Sequence, residues 1–142
     1  MRKITGHYTY EDIEIGLCES FSVEITPQLT ETFKNITGDK NPLHVDAAYA
    51  QTCGFQQTVV HGMLTASFLS TLAGMYLPGE RSLIHSIEIF FSAPVFVGDQ
   101  LMIRGVVAHK EDLFKTIKLK VCIQNQNGKN VCRGSMQIGV RE

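Results

Sequence analysis

An α+β domain, an antiparallel curved sheet wrapped around one long central helix, is the fold class that three patterns in this sequence predict. The first is an uncharged run from Met63 to Leu77, whose only polar members are small hydroxyl residues. A helix apolar on all sides is a buried one. The second is the chain after Pro78-Gly79, where apolar and polar residues alternate in one segment after another, as in consecutive strands. The third is a turn-rich segment, Thr37 to Asp46, which carries Asp39 and His44 five residues apart.

Taken in order, Glu14 to Ile25 alternates loosely, with Phe21, Val23 and Ile25 on one side, and reads as a strand. Thr26-Pro27 supplies a helix cap followed by proline at the first helical position, and Leu29, Phe33 and Ile36 form an apolar stripe that Gly38 ends. The next segment, through Asn41-Pro42 to His44, holds a glycine and a proline that oppose a regular helix. Asp46 caps a short helix over Ala47 to Ala50, Cys53-Gly54-Phe55 breaks it, and Val59-Val60 leads to His61-Gly62 and the central helix. At about fifteen residues that helix is shorter than the roughly 20 needed to span a bilayer.

Among the strands, Ile87, Ile89 and Phe91 alternate with Ser86, Glu88 and Phe90, Pro94 to Asp99 forms an apolar turn, and Leu101 to Val107 follows. Leu113 to Ile123 alternates with lysines, and Asn127-Gly128 signals a hairpin returning into Val131 to Val140. Such a sheet ends in edge strands, and dimerisation is the simplest cover for them.

Composition narrows the function. The 142 residues suit a single domain, residues 1–142, with a core of its own. Thirteen basic and fourteen acidic residues leave a net charge of −1, so no global field favours nucleic acid or an anionic membrane. The stretch Met1 to Tyr8 lacks the apolar core of a signal peptide, and a cytoplasmic protein is expected. Cys18, Cys53, Cys122 and Cys132 show none of the close pairings of zinc ribbons or redox dithiols and read as reduced, mostly buried thiols.

A turn through Gly38 and Asn41-Pro42 would bend the chain so that Asp39 and His44 converge on one water molecule. A carboxylate and an imidazole together can remove one proton and deliver another, as adding water across an activated double bond requires. Two plainer readings stand beside it: Asp39 as a local turn acceptor, and His44 as a buried ring with satisfied nitrogens. As a metal set, His44, Asp46 and His61 have no recognised ligand spacing, and no metal is expected. His7, His85 and His109 have no partner pattern and read as surface or sheet residues.

The segment Phe33 to Asp46, containing Thr37-Gly38-Asp39-Lys40-Asn41-Pro42-Leu43-His44, resembles the hydratase motif of the MaoC-like (R)-specific 2-enoyl-CoA hydratases. Val60-His61-Gly62-Met63-Leu64-Thr65-Ala66-Ser67 resembles the start of that family's central helix, and Pro94 to Asp99 a turn between its strands. One departure is Thr37, where the motif commonly has serine; the hydroxyl is kept. The resemblance implies a single hot-dog domain, assembled as a homodimer or a dimer of dimers, that reversibly hydrates trans-2-enoyl-CoA thioesters to (R)-3-hydroxyacyl-CoA. It implies no metal, flavin or nicotinamide cofactor.

Carried over residue by residue, the resemblance makes Asp39 and His44 the catalytic pair and Asn41 a supporting amide. It makes Gly62 the backbone donor to the thioester carbonyl and Ser67 a polar neighbour of the pair on the central helix. A glycine at a helix start also has physical reasons to serve, since free N–H groups and the helix dipole favour negative charge there. Gly62 also reads as a plain helix-start glycine, Ser67 as a hydroxyl bonded to its own helix, Asn41 as a turn former, and His61 as a residue that orients the loop. The same fold leaves open a dehydratase acting on acyl-carrier-protein thioesters, a thioesterase, or a protein that binds acyl thioesters without turnover.

Overall fold

In the computed structural model, which describes Met1 and residues 4–142, a strand and four helices precede four more strands. The elements are β1 (Cys18–Glu24), α1 (Pro27–Thr37), α2 (Pro42–Val45), α3 (Ala47–Thr52), α4 (Gly62–Thr71), β2 (Ser82–Phe91), β3 (Gln100–Glu111), β4 (Thr116–Gln124) and β5 (Asn130–Val140). A wider π turn, Leu72–Tyr76, extends α4 without a break. The strands form one antiparallel sheet in the order β1-β3-β4-β5-β2, so the two strands earliest in sequence lie at opposite edges.

The core lies between α4 and the inner face of this sheet. Leu64, Phe68, Leu69, Leu72, Ala73 and Tyr76 meet Ile103 and Val107 of β3, Leu119 and Ile123 of β4, and Met136 and Ile138 of β5 in one buried cluster. Each such aliphatic side chain, fully buried, contributes roughly 1.5–3 kcal/mol. Gly105 in β3 lets the helix come close: a Cβ there would stand 2.9 Å from Leu72 Cδ2. The Phe21 ring stacks on Tyr76 at 4.7 Å between centroids and ties β1 to the same helix.

Several sequence-based expectations shift. The apolar run of α4 is not buried all round: Met63, Ser67 and Ser70 are exposed, because the sheet covers one side of the helix only. Ile36, placed on the α1 stripe, is 77% exposed, while Leu29 and Phe33 pack on the core. A single helical turn, α2, starts at Pro42, where proline at the first helical position costs no hydrogen bond. Leu113 and Phe114 belong to the β3–β4 turn and not to β4, because the Glu111 carboxylate accepts their backbone N–H groups at 2.9 and 2.7 Å. Of the four cysteines only Cys132 is buried; Cys18 and Cys53 are exposed and Cys122 is half-buried.

The two edges differ. Toward solvent β1 presents Ser20, Ser22 and Glu24, whereas β2 leaves Leu83, Ile87, Phe90 and Phe91 about half exposed. The expected inward set of β2 is therefore only partly covered, since the edge lies beyond the reach of α4.

Candidate active site

Gly38 closes α1 with φ +73 and donates its N–H to Lys34 O at 2.8 Å, the left-handed stop that glycine makes readily. The hydroxyl of Thr37 then accepts the Asp39 N–H at 3.2 Å, and Asp39 Oδ1 accepts the Asn41 N–H at 3.1 Å. Asn41 Oδ1 caps α2 by accepting the Leu43 N–H at 3.0 Å. This chain of local bonds turns the backbone through the Asp39–His44 segment.

Long-range bonds fix where that segment points. Val59 N–H donates to Leu43 O at 3.0 Å, and Val59 O accepts from His44 Nδ1 at 2.6 Å. A carbonyl can only accept, so His44 carries a proton on Nδ1, and Nε2 is the ring nitrogen left free of Val59. His61, 3% exposed, donates from Nε2 to Asp39 O at 2.9 Å and stacks its ring on that of His44 at 4.1 Å between centroids. His61 thus orients the loop, as its position beside the helix start suggested. The turn Pro94 to Asp99 supports the same strip of chain, since Val95 O accepts the Val60 N–H at 2.8 Å. Asp99 holds that turn by accepting the Phe96 N–H at 3.0 Å.

The donor atoms of Asp39, His44 and His61 lie within 4.8 Å of one another. Asp46, the carboxylate weighed with the two histidines in the sequence, is elsewhere, capping α3 through the Tyr49 N–H at 3.1 Å. Both rings already donate one nitrogen to a backbone carbonyl, and the Asp39 carboxylate with the second nitrogen of His44 makes a pair suited to holding and moving a proton.

Two cavities border this cluster. One, of about 370 Å³, is lined by His44, Gly62 and Thr65 with Phe55, Val95 and Phe91. The other, of about 620 Å³, is lined by Asp39, Ser67 and Met63 with Phe33, Ile87 and Ile89. The catalytic candidates therefore stand between them, His44 toward the first and Asp39 toward the second. A larger trough of about 1060 Å³ lies along the outer face of the sheet among Arg104, Lys120 and Arg133 and includes none of these groups.

Gly62 opens α4, and the residue before it, His61, gives no side-chain cap bond, so the Gly62 and Met63 N–H groups have no acceptor from the cap, while Leu64 and Thr65 bond to His61 O. Ser67 Oγ donates to Leu64 O at 2.6 Å within its own helix while lining the Asp39 cavity. Asn41 is exposed and serves the turn. Two lining residues had no signal in the sequence. Thr65 looked like any small hydroxyl in an apolar helix. Cys132 looked like a strand residue, and burial, helped by the neighbouring Cys122, pushes its thiol up to about 11.

A family model described as MaoC like domain matches residues 15–128. The chain is 38% identical over 103 residues to the (R)-specific enoyl-CoA hydratase of Aeromonas caviae, covering 72% of this chain and 77% of that protein. It is 36% identical over 99 residues to the 3-hydroxybutyryl-CoA dehydratase of Methylorubrum extorquens, covering 70% of this chain and 63% of that protein, just under two thirds. Among solved structures, an unliganded R-hydratase of Pseudomonas aeruginosa superposes with a TM-score of 0.91 at 30% identity, covering 97% of this chain and 88% of that one. The (R)-hydratase of A. caviae gives 0.87 at 32% identity, covering 92% and 98%.

Proposed function

This chain belongs to the MaoC-like domain family and has its hot-dog fold, and from that premise we propose that it is a hydro-lyase that reversibly hydrates trans-2-enoyl-CoA thioesters to (R)-3-hydroxyacyl-CoA. The observation that carries the reading is the convergence of Asp39 and His44 beside the unoccupied N–H groups at the start of α4. The names of two similar proteins, an (R)-specific enoyl-CoA hydratase and a 3-hydroxybutyryl-CoA dehydratase, support the same chemistry.

In this reading Asp39 and His44 Nε2 hold one water between them. As its oxygen bonds to carbon 3, one of the two takes its proton and a proton is returned to carbon 2 from the same face. The electron pair passes transiently onto the thioester carbonyl oxygen, where the Gly62 N–H and the positive end of the α4 dipole stabilise it. Asn41 keeps the loop in shape, and Ser67 borders the water side of the cavity.

Crotonyl-CoA tests this directly. Loss of the conjugated enoyl absorbance, with (R)-3-hydroxybutyryl-CoA as product by chiral analysis, is the expected result. Release of free thiol would identify a thioesterase instead, and binding without turnover a non-catalytic protein. Crotonyl-acyl-carrier protein assayed in parallel distinguishes the thiol carrier, with the CoA thioester expected to be the better substrate.

The exposed apolar edge at β2, next to the Ile87 and Ile89 wall of the Asp39 cavity, supports a homodimer formed along that edge. Light scattering should give twice the chain mass. Among the described residues no helix is long and apolar enough to cross a membrane.

A further inference from the structure

Thr65 stands one helical turn after Gly62 and carries a polar atom that the fold itself does not use. Its side chain is 1% exposed, yet Oγ1 has no hydrogen-bond partner among the described residues. Hydroxyls in helices ordinarily bond back to a carbonyl of the preceding turn. Thr30, Thr37, Thr52 and Ser67 all do so here, at 2.8, 2.8, 2.6 and 2.6 Å. Thr65 does not, and it lines the cavity that His44 and Gly62 share, whose other walls include Phe55, Val95 and Phe91.

The direction of the side chain follows from helix geometry. Helical side chains lean toward the N-terminus, and residues three apart share a face, so the Thr65 side chain lies on the same face of α4 as Gly62. That turn has no cap: His61 offers no side-chain acceptor, while Leu64 N–H and Thr65 N–H both go to His61 O, at 3.0 and 3.3 Å. Gly62, whose N–H has no backbone acceptor among the described residues, and Thr65, whose buried hydroxyl is unpaired, thus line one largely apolar cavity. Buried polar groups are costly unless something pairs them.

We propose that the Thr65 hydroxyl is a second donor, beside the Gly62 N–H, to the carbonyl oxygen of the bound thioester. The assignment rests on the hydratase reading and deepens it. The water oxygen bonds to carbon 3, the electron pair of the double bond moves onto the carbonyl oxygen as an enolate, and the carbonyl re-forms when carbon 2 takes its proton. Throughout, Thr65 lends a hydrogen bond and gives up no proton. Its bond to the charged enolate oxygen is stronger than its bond to the neutral carbonyl, so its effect falls on turnover more than on binding.

Thr65→Val keeps the branched shape and removes the hydroxyl. With crotonyl-CoA, kcat should fall on the order of 10²-fold, the usual effect of losing one such donor. KM should move only a few-fold, as expected for an interaction made chiefly in the transition state. The melting temperature should hold or rise, because an unpaired buried hydroxyl is replaced by a methyl. Thr65→Ser should restore most of kcat. As an independent reading, acetoacetyl-CoA should show a larger enolate absorbance on the wild type than on Thr65→Val.

Wild-type kcat in Thr65→Val would overturn the assignment. So would a variant that melts lower or fails to fold, since the hydroxyl would then have a structural partner. If the wild type itself does not hydrate crotonyl-CoA, the hydratase reading falls, and equal acetoacetyl-CoA signals in the two proteins would then remove Thr65 as a donor as well.

Discussion

The starts of α1 and α4 are built on opposite principles. At α1, Thr26 Oγ1 accepts the Leu29 N–H at 3.3 Å and Pro27 fills the first helical position, so local groups satisfy the helix end. The short helices follow suit, α2 through Asn41 and α3 through Asp46. At α4 the residue in the capping position is His61, whose Nε2 is bonded away to Asp39 O, and Gly62 and Thr65 behind it line a cavity. Capped starts stabilise the fold, while the uncapped one keeps its donors available to a ligand at some cost in stability. The contrast teaches that in this chain the missing cap coincides with the candidate site.

The largest test of that contrast lies opposite the α4 start. Asp39→Asn and His44→Ala should each lower crotonyl-CoA hydration by roughly 10²–10⁴-fold while the circular dichroism spectrum stays that of the wild type. Full activity in either variant would leave the uncapped helix without a reaction to serve.

Gly62→Ala comes next. An added Cβ would stand 3.1 Å from Phe91 Cε1, a ring at the half-exposed end of β2 that also lines the His44 cavity. The ring can shift, so the melting temperature should change little, but methyl and ring together crowd the carbonyl position. A drop in kcat/KM of about 10-fold is expected from displacing a substrate held for near-attack geometry. Unchanged kinetics would detach Gly62 from the site.

Thr26→Ala probes the other side of the comparison. Losing that cap should cost about 1 kcal/mol in denaturant unfolding and leave kcat unaltered. A matching loss of activity would mean that the two helix starts are not functionally distinct after all.

The smallest effect reports on how dry the α4 cavity is. Burial holds the Cys132 thiol at about 11 against 9.0 for a free one, so the unfolded chain gives up that proton first as pH rises. The corresponding stability is therefore complete below pH 9 and is lost between 9 and 11. The Tyr10 hydroxyl, raised to about 12 by burial and by its bond to Asp112 at 2.6 Å, adds to the same alkaline decline. Cys132→Ala should flatten the decline by no more than about 1 kcal/mol near pH 10 in melts compared across pH. Iodoacetamide at about pH 8 should label the exposed Cys18 and Cys53 and spare Cys132.

Much of this molecule was written locally in its sequence. Thr26-Pro27, Gly38, Asp46 and Asn127-Gly128 set helix starts, a helix stop and a hairpin through bonds within a few residues, and the structure keeps each of them. The uncharged run of α4 and the alternation after Pro78 likewise determined a helix against an antiparallel sheet, because periodicity decides which side chains can share a core. The hydratase-like motif, too, could be read from residue order alone.

Tertiary structure decided what depends on who lies opposite whom. It left Ile87 and Phe91 at the surface, because a single helix cannot cover a five-stranded sheet to its edges, and Ile36 on the outer side of α1. It moved Leu113 and Phe114 into a turn held by Glu111. Above all, it brought Val59 O to His44, His61 to Asp39 and an unpaired Thr65 to the cavity wall, pairings between segments whose spacing in the chain carries no trace of their contact.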